Sequence, residues 1–173
     1  MDAIEFLRDQ LGQARDFLHG TLREMTEDQV HALPSGKLNS IAATYAHVVT
    51  GEDGFVNGLL RGAAPLFASE WAGRTGLSEM PPEGPDWAAW GGRVRVDIKA
   101  LDRYAEAVGR STDEFLASLT PDDLDRAVDL SAFGFGQRSL GWVMGAGVLG
   151  HVLSHWGEIS ALNGLQGRKG FPV

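Results

Sequence analysis

The chain has 173 residues, 43% of them hydrophobic, which is enough for one domain with a substantial core. A net charge of −8 without a basic cluster argues against nucleic acid or an anionic membrane surface as the main partner. The absence of cysteine removes disulfides, thiolate metal sites and a protein thiol nucleophile together and fits a reducing cytoplasm, so any thiol chemistry needs an external thiol.

The opening MDAIEFLRDQLGQ is charged from its second residue and has no continuous apolar segment, so neither a signal peptide nor a transmembrane span is expected. From Asp2 to Met25 apolar residues recur three and four apart at Ile4, Leu7, Leu11, Ala14, Leu18, Leu22 and Met25, predicting an amphipathic helix. The linker TEDQVHALPSGKLNS allows a turn of helix at Thr26 to Ala32 before Pro34, Ser35 and Gly36 break it, and Asn39 or Ser40 can cap the next helix. That second helix, Ile41 to Leu60, centres its apolar face on Ile41, Tyr45, Val48, Phe55 and Leu59. His47 lies on the flank of this face with Thr44, Gly51 and Gly58, small residues that allow close approach, while Glu52 is a carboxylate on the central stripe.

Gly62 to Pro85 is rich in glycine and proline, with Trp71 as an anchor, and its length predicts a crossover in a bundle or a lid. A third helix is predicted from about Asp86 to Ser118, with Gly91 and Gly92 delaying its start. TPDDLDRAVDLSAFGFGQRS reads as a structured loop, and a fourth helix follows from about Ser139 to Gly164, with Gly164 as its cap. No stretch alternates with period two long enough to predict a sheet. Four long amphipathic helices predict an all-α four-helix bundle, a single domain over residues 1–173.

The stretch GHVLSHWGEI on the last helix places ionisable groups where the apolar stripe Leu140, Met144, Gly147, His151, His155, Glu158, Leu162, Leu165 should be buried. At about 100° per residue His155 lies roughly 40° from His151, and Glu158 about 20° to its other side, so all three look the same way. An unpaired buried polar group costs about 1–3 kcal/mol, and a metal is one way to compensate it. HxxxH alone is as consistent with a hydrogen-bonded histidine pair, and the zinc-protease HExxH is absent because Val152 stands where its glutamate belongs. A third histidine on another helix strengthens the metal reading: His47, His151 and His155 make three imidazole ligands with open positions, the arrangement of a catalytic ion. Glu158 and Glu52 are candidate catalytic bases, and Glu158 has two alternatives, orienting an imidazole N–H or pairing with an arginine.

The run SIAATYAHVVTGED, with LGWVMGAGVLGHVLSHWGEISALNGLQGRKGFP at the end, resembles the DinB-like superfamily of four-helix-bundle metalloproteins, which is unrelated to the DNA polymerase of that name. The resemblance covers the helix order and the long second connection. It implies a divalent metal, zinc or nickel, on one histidine of the second helix and two of an HxxxH on the last, here His47, His151 and His155. It also implies an activity on a small-molecule substrate with a low-molecular-weight thiol such as mycothiol, bacillithiol or glutathione, as an S-transferase or as an isomerase of the maleylpyruvate type. Other members have no assigned activity, so a non-catalytic stress or binding protein is the alternative, and a metal-free bundle with internally bonded histidines is a third reading.

The remaining conspicuous residues read more plainly. His19 and His31 are expected to be solvated, and Arg126 and Arg138 to be surface residues rather than a carboxylate clamp. Trp142, Leu149 and Trp156 recur every seven residues away from the histidines. This second apolar stripe predicts either a homodimer packed through it or coverage by the long connection or the tail.

Overall fold

Side-chain caps start most of the helices. In the computed structural model, which describes residues 1–35, 38–82 and 86–171, Asp2 and Glu5 form a capping box at the head of α1 (Ala3–Leu22). Thr26 and Gln29 do the same for α2 (Glu27–His31), the turn of helix expected in the first linker. Ser40 caps α3 (Ile41–Asp53), which runs on into a π-helical turn, Gly54–Leu60. Gly36, Pro85 and the last two residues of the tail lie outside the described residues.

The third predicted helix proves to be two, α4 (Trp87–Arg93) and α5 (Ile98–Ala117). Between them Val94 and Val96 are buried while Arg93 and Arg95 are exposed, an alternation that suits extended chain. Val96 pairs with Leu77 across a β-bridge, and Asp97 then caps α5. The predicted loop before the last helix also departs from expectation. It holds an antiparallel hairpin of β1 (Ala127–Leu130) and β2 (Gly136–Ser139), with Ala127 opposite Ser139. Strands of four residues are too short to show period two in sequence. Ser139 caps α6 (Leu140–Trp142), a π-helical turn spans Val143–Leu149, and α7 (Gly150–Leu165) completes the run. The left-handed residue that stops α7 is Gly167 at φ 77°, not Gly164, and the Arg168 N–H closes on the Asn163 carbonyl.

The long helices α1, α3, α5 and α7 form a four-helix bundle in which α1 and α3 each touch α5 and α7. Contacts set the directions. Tyr45 meets Asp102 and Asn57 meets Ser111, so α3 and α5 run parallel. Gly51 lies against His151, while His47 lies against His155, so α3 and α7 run antiparallel. Parallel neighbours explain the long second connection, because the chain must travel back along the bundle before α5 can begin. Among the described residues no helix is long and apolar enough to cross a membrane.

α7 sits at a corner of this bundle. Counting about 100° per residue from His151, the buried Ile159, Val152 and Trp156 fall near 80°, 100° and 140°. The histidines therefore occupy the edge of the buried arc facing α3, and Trp156 the edge facing α1. Trp156 is 8% exposed, stacks on Phe17 at 5.0 Å, donates to Thr21 Oγ1 at 2.9 Å and meets Phe171 of the tail at 4.6 Å. This corrects the dimer face inferred from Trp142, Leu149 and Trp156. Trp156 is spent on α1 and the tail, and Leu149 packs against the core. Trp142 stays exposed beside Phe135 with the Arg138 guanidinium over its ring. The tail covers part of this stripe, as the second reading of it allowed, and a corner helix buries two adjoining faces, so a second apolar stripe does not by itself require a second subunit.

Candidate metal centre

His47 comes from the flank of α3 and His151 and His155 from successive turns of α7, and antiparallel packing brings the three to one level. One nitrogen from each lies within 4.8 Å of the others. The Nε2 atoms of His47 and His151 are 3.0 Å apart. The rings meet edge to face, with His155 centred 4.9 Å from His47 and 4.6 Å from His151. Gly51 makes this approach possible: a Cβ there would stand 3.2 Å from Cε1 of His151. On the other side Trp87 of α4 packs edge-on against His47 at 4.4 Å.

The surroundings hold His47 and His151 neutral. Burial, followed by the neighbouring His155, pushes His47 down to about 4. Burial, followed by His47 and His155, pushes His151 down to about 3. His155 Nδ1 donates to Glu158 Oε2 at 2.8 Å, which fixes its tautomer and leaves the Nε2 lone pair free. Nδ1 of His47 is buried without a hydrogen-bond partner. Neutral nitrogen donors without thiolate suit a borderline divalent ion, and three of them leave coordination positions open. The residues present fit a metal.

Of the two carboxylates singled out from sequence, Glu158 joins the histidines and Glu52 does not. Glu52 lies about 140° round α3 from His47. It is buried, paired with Arg15 of α1, and accepts from Thr112 Oγ1 of α5 at 2.6 Å. His19 and His31 are not simply solvated: His19 Nε2 is 3.2 Å from the Tyr45 hydroxyl, and His31 Nε2 accepts from the Val96 N–H at 3.2 Å. The sequence reading missed Asp53. This fully buried carboxylate accepts from Tyr104 at 2.6 Å, from Asn57 at 2.7 Å, and from the Leu66 and Phe67 amides at 2.9 and 3.0 Å. It thereby ties the long connection to α3. Its signal was a second carboxylate beside Glu52 on an otherwise apolar helix.

A family model of the DinB superfamily matches residues 10–159. The chain belongs to the DinB superfamily. The match spans the histidine-bearing stretches of α3 and α7, with His47, His151 and His155 inside it. Among solved structures, the crystal structure of a conserved protein from Enterococcus faecalis is similar, with a TM-score of 0.80 and 20% identity. The likeness covers 97% of this chain and 99% of that one. It shows that the DinB fold is shared over both chains' length. No curated protein matches this chain.

Proposed function

We propose that the protein is a metal-dependent enzyme that joins a low-molecular-weight thiol to a small electrophile, or isomerises a substrate through such a thiol, in the cytoplasm. The carrying observation is the convergence of three imidazoles from two helices, with the Nε2 atoms of His47 and His151 3.0 Å apart. His47, His151 and His155 would hold zinc or nickel. Such an ion, when bound, supplies a Lewis acid that lowers the pKa of a thiol or water and so provides a nucleophile at neutral pH.

The protein's own part is positional and basic. Glu158 holds the Nδ1 proton of His155 and so aims its Nε2 inward. About a quarter of the Glu158 side chain is exposed, which supports assigning it, as the nearer of the two candidate bases, the proton of an incoming thiol. Glu52, our other candidate base, would first have to leave Arg15 and Thr112.

Metal analysis of untagged protein, repeated with His47→Ala and His151→Ala, tests the site; undiminished metal in both variants would sink it. Incubation of metal-loaded protein with electrophiles and each candidate thiol separates the enzyme from its alternative, a non-catalytic metal-binding stress protein. Only the enzyme gives saturable turnover that vanishes in the histidine variants.

We also infer a homodimer. With Trp156 internal, support comes from the outer face of α7, where Leu153, Ser154, Gly157, Ala161 and Gly164 are exposed and none is charged.

A further inference from the structure

An apolar cavity of about 510 Å³ opens beside the histidines. Its walls come from three places in the chain. Phe55 and Leu59 lie on the π-helical turn after α3, Phe67, Met80 and Trp87 on the long connection and α4, and Phe133 on the turn between β1 and β2. Phe55 and Phe133 face each other at 5.0 Å. Two lining residues also belong to the metal centre: Gly51, whose missing side chain admits His151, and Trp87, which packs on His47. No charged side chain is among the described residues that line it, and the Thr50 hydroxyl is already spent on the Ala46 carbonyl. The larger grooves differ. One, between α1 and α5, is lined by Arg8, Asp16, His19, Asp102 and Asp113, and the other by Arg61, Trp71, Arg74 and Arg110; neither includes a ligand histidine.

We propose that this cavity binds the body of an uncharged small molecule carrying an aromatic ring, with the molecule's reactive end turned to the histidines. The size is that of a ligand pocket, typically about 300–1,000 Å³. Aromatic walls favour a flat ring. A carboxylate in the same space would lose water and meet no cationic side chain among the described lining residues, so the wall chemistry selects a molecule whose body is uncharged over an acidic one. The orientation of the molecule rests on the metal-site reading; occupancy of the cavity does not.

Two fluorescent probes with one ring system test this. N-phenyl-1-naphthylamine is uncharged, and 8-anilino-1-naphthalenesulfonate adds a sulfonate. Metal-free protein should bind the uncharged probe saturably at one site and at least about tenfold more tightly than its sulfonate. Gly54→Leu closes the space: Gly54 lines the cavity at φ −61°, and a Cβ there meets nothing within 4 Å. It should weaken the uncharged probe by about tenfold or more without lowering the thermal midpoint. Equal affinity for both probes, no binding, or binding unchanged by Gly54→Leu overturns the proposal. In cobalt-loaded protein the bound probe should be quenched, and in His151→Ala it should bind as before but unquenched. Cobalt bound without quenching overturns the orientation. Failure to bind cobalt at all defeats the metal reading and leaves the cavity to be judged on the probe and Gly54→Leu results.

Discussion

Nε2 of His47 and Nε2 of His151, 104 positions apart in sequence, face each other at 3.0 Å. Two neutral imidazoles in that position share one proton between two nitrogens, and Nδ1 of His47 is left buried without a partner. An ion held by His47, His151 and His155 would relieve the crowding of the two Nε2 atoms by turning a strained contact between imidazoles into shared coordination. A histidine pair kept only for stability would gain more from ordinary apolar packing.

Metal binding should stabilise the fold, because it ties α3 to α7 only when the protein is folded. Zinc at about 100 times its Kd should add about 2.7 kcal/mol, raising Tm by roughly 5–10 °C in a protein of this size, with a chelator reversing the shift. Scanning calorimetry with and without the metal reads this directly. A Tm indifferent to metal and chelator would leave only the internally bonded histidine reading.

Gly51→Val should weaken the metal centre without unfolding the helix that carries it. Even the first carbon of the new side chain would come within 3.2 Å of the His151 ring, which must move. Removing a glycine from a helix interior otherwise favours helix by up to about 1 kcal/mol. Titration calorimetry should show metal affinity lower by about tenfold or more, with helical circular dichroism retained. Unchanged affinity would mean that His151 is not a ligand.

Acid should destabilise the metal-free protein over a definite range. In the unfolded chain imidazoles titrate near 6.5, whereas the folded protein holds His47 near 4 and His151 near 3. Between these values the unfolded state binds more protons, so stability rises with pH. As pH falls it should drop from about 6.5 through 4, and down to about 3 for His151. The double variant His47→Gln, His151→Gln should show a flatter Tm profile over that window. Parallel profiles for the two proteins would contradict the burial argument.

Asp53→Ala should loosen the wall of the cavity. Four donors lose their acceptor, two of them backbone amides of the long connection. Leaving buried donors unsatisfied costs about 1–3 kcal/mol each before relaxation, so a net loss near 3 kcal/mol is expected in urea unfolding. Hydrogen exchange at Leu66 and Phe67 should rise more than at core amides of α1. Uniform exchange changes would show that Asp53 does not anchor this segment in particular.

Trp156→Ala and Leu153→Glu separate the two sides of α7. The first removes a side chain stacked on Phe17 and should cost about 3–5 kcal/mol of stability without changing subunit number. The second alters a residue 41% exposed and should leave Tm almost unchanged while converting a dimer to a monomer in light scattering. A dimer that survives Leu153→Glu would exclude this outer face.

The candidate metal-holding residues are legible in sequence because most of their geometry is local. HxxxH puts His151 and His155 on adjoining turns of any helix, and Glu158 falls beside them for the same reason. The pairing of α3 with α5 joins residues more than 50 positions apart, and Asp53 holds the Leu66 and Phe67 amides 13 and 14 positions on, beyond the reach of helical period, so neither is legible. The break at Val94–Asp97 lay within reach: Val94 and Val96 alternate with Arg93 and Arg95, but over too few residues to outweigh the helical pattern around them.

Periodicity alone marks most of α1, α3, α5 and α7, together with the Ser40 cap and the three histidines, because helical period and capping are set by residues three and four apart. Only the tertiary structure decided what each flank of a helix faces. The His151 side of α7 and its Trp156 side are both buried because α3 and α1 meet α7 at a corner, and how wide an arc a helix buries is set by its neighbours rather than by its own period. For the same reason the cavity beside the histidines has no local signature: its walls are drawn from three distant segments that only packing brings together.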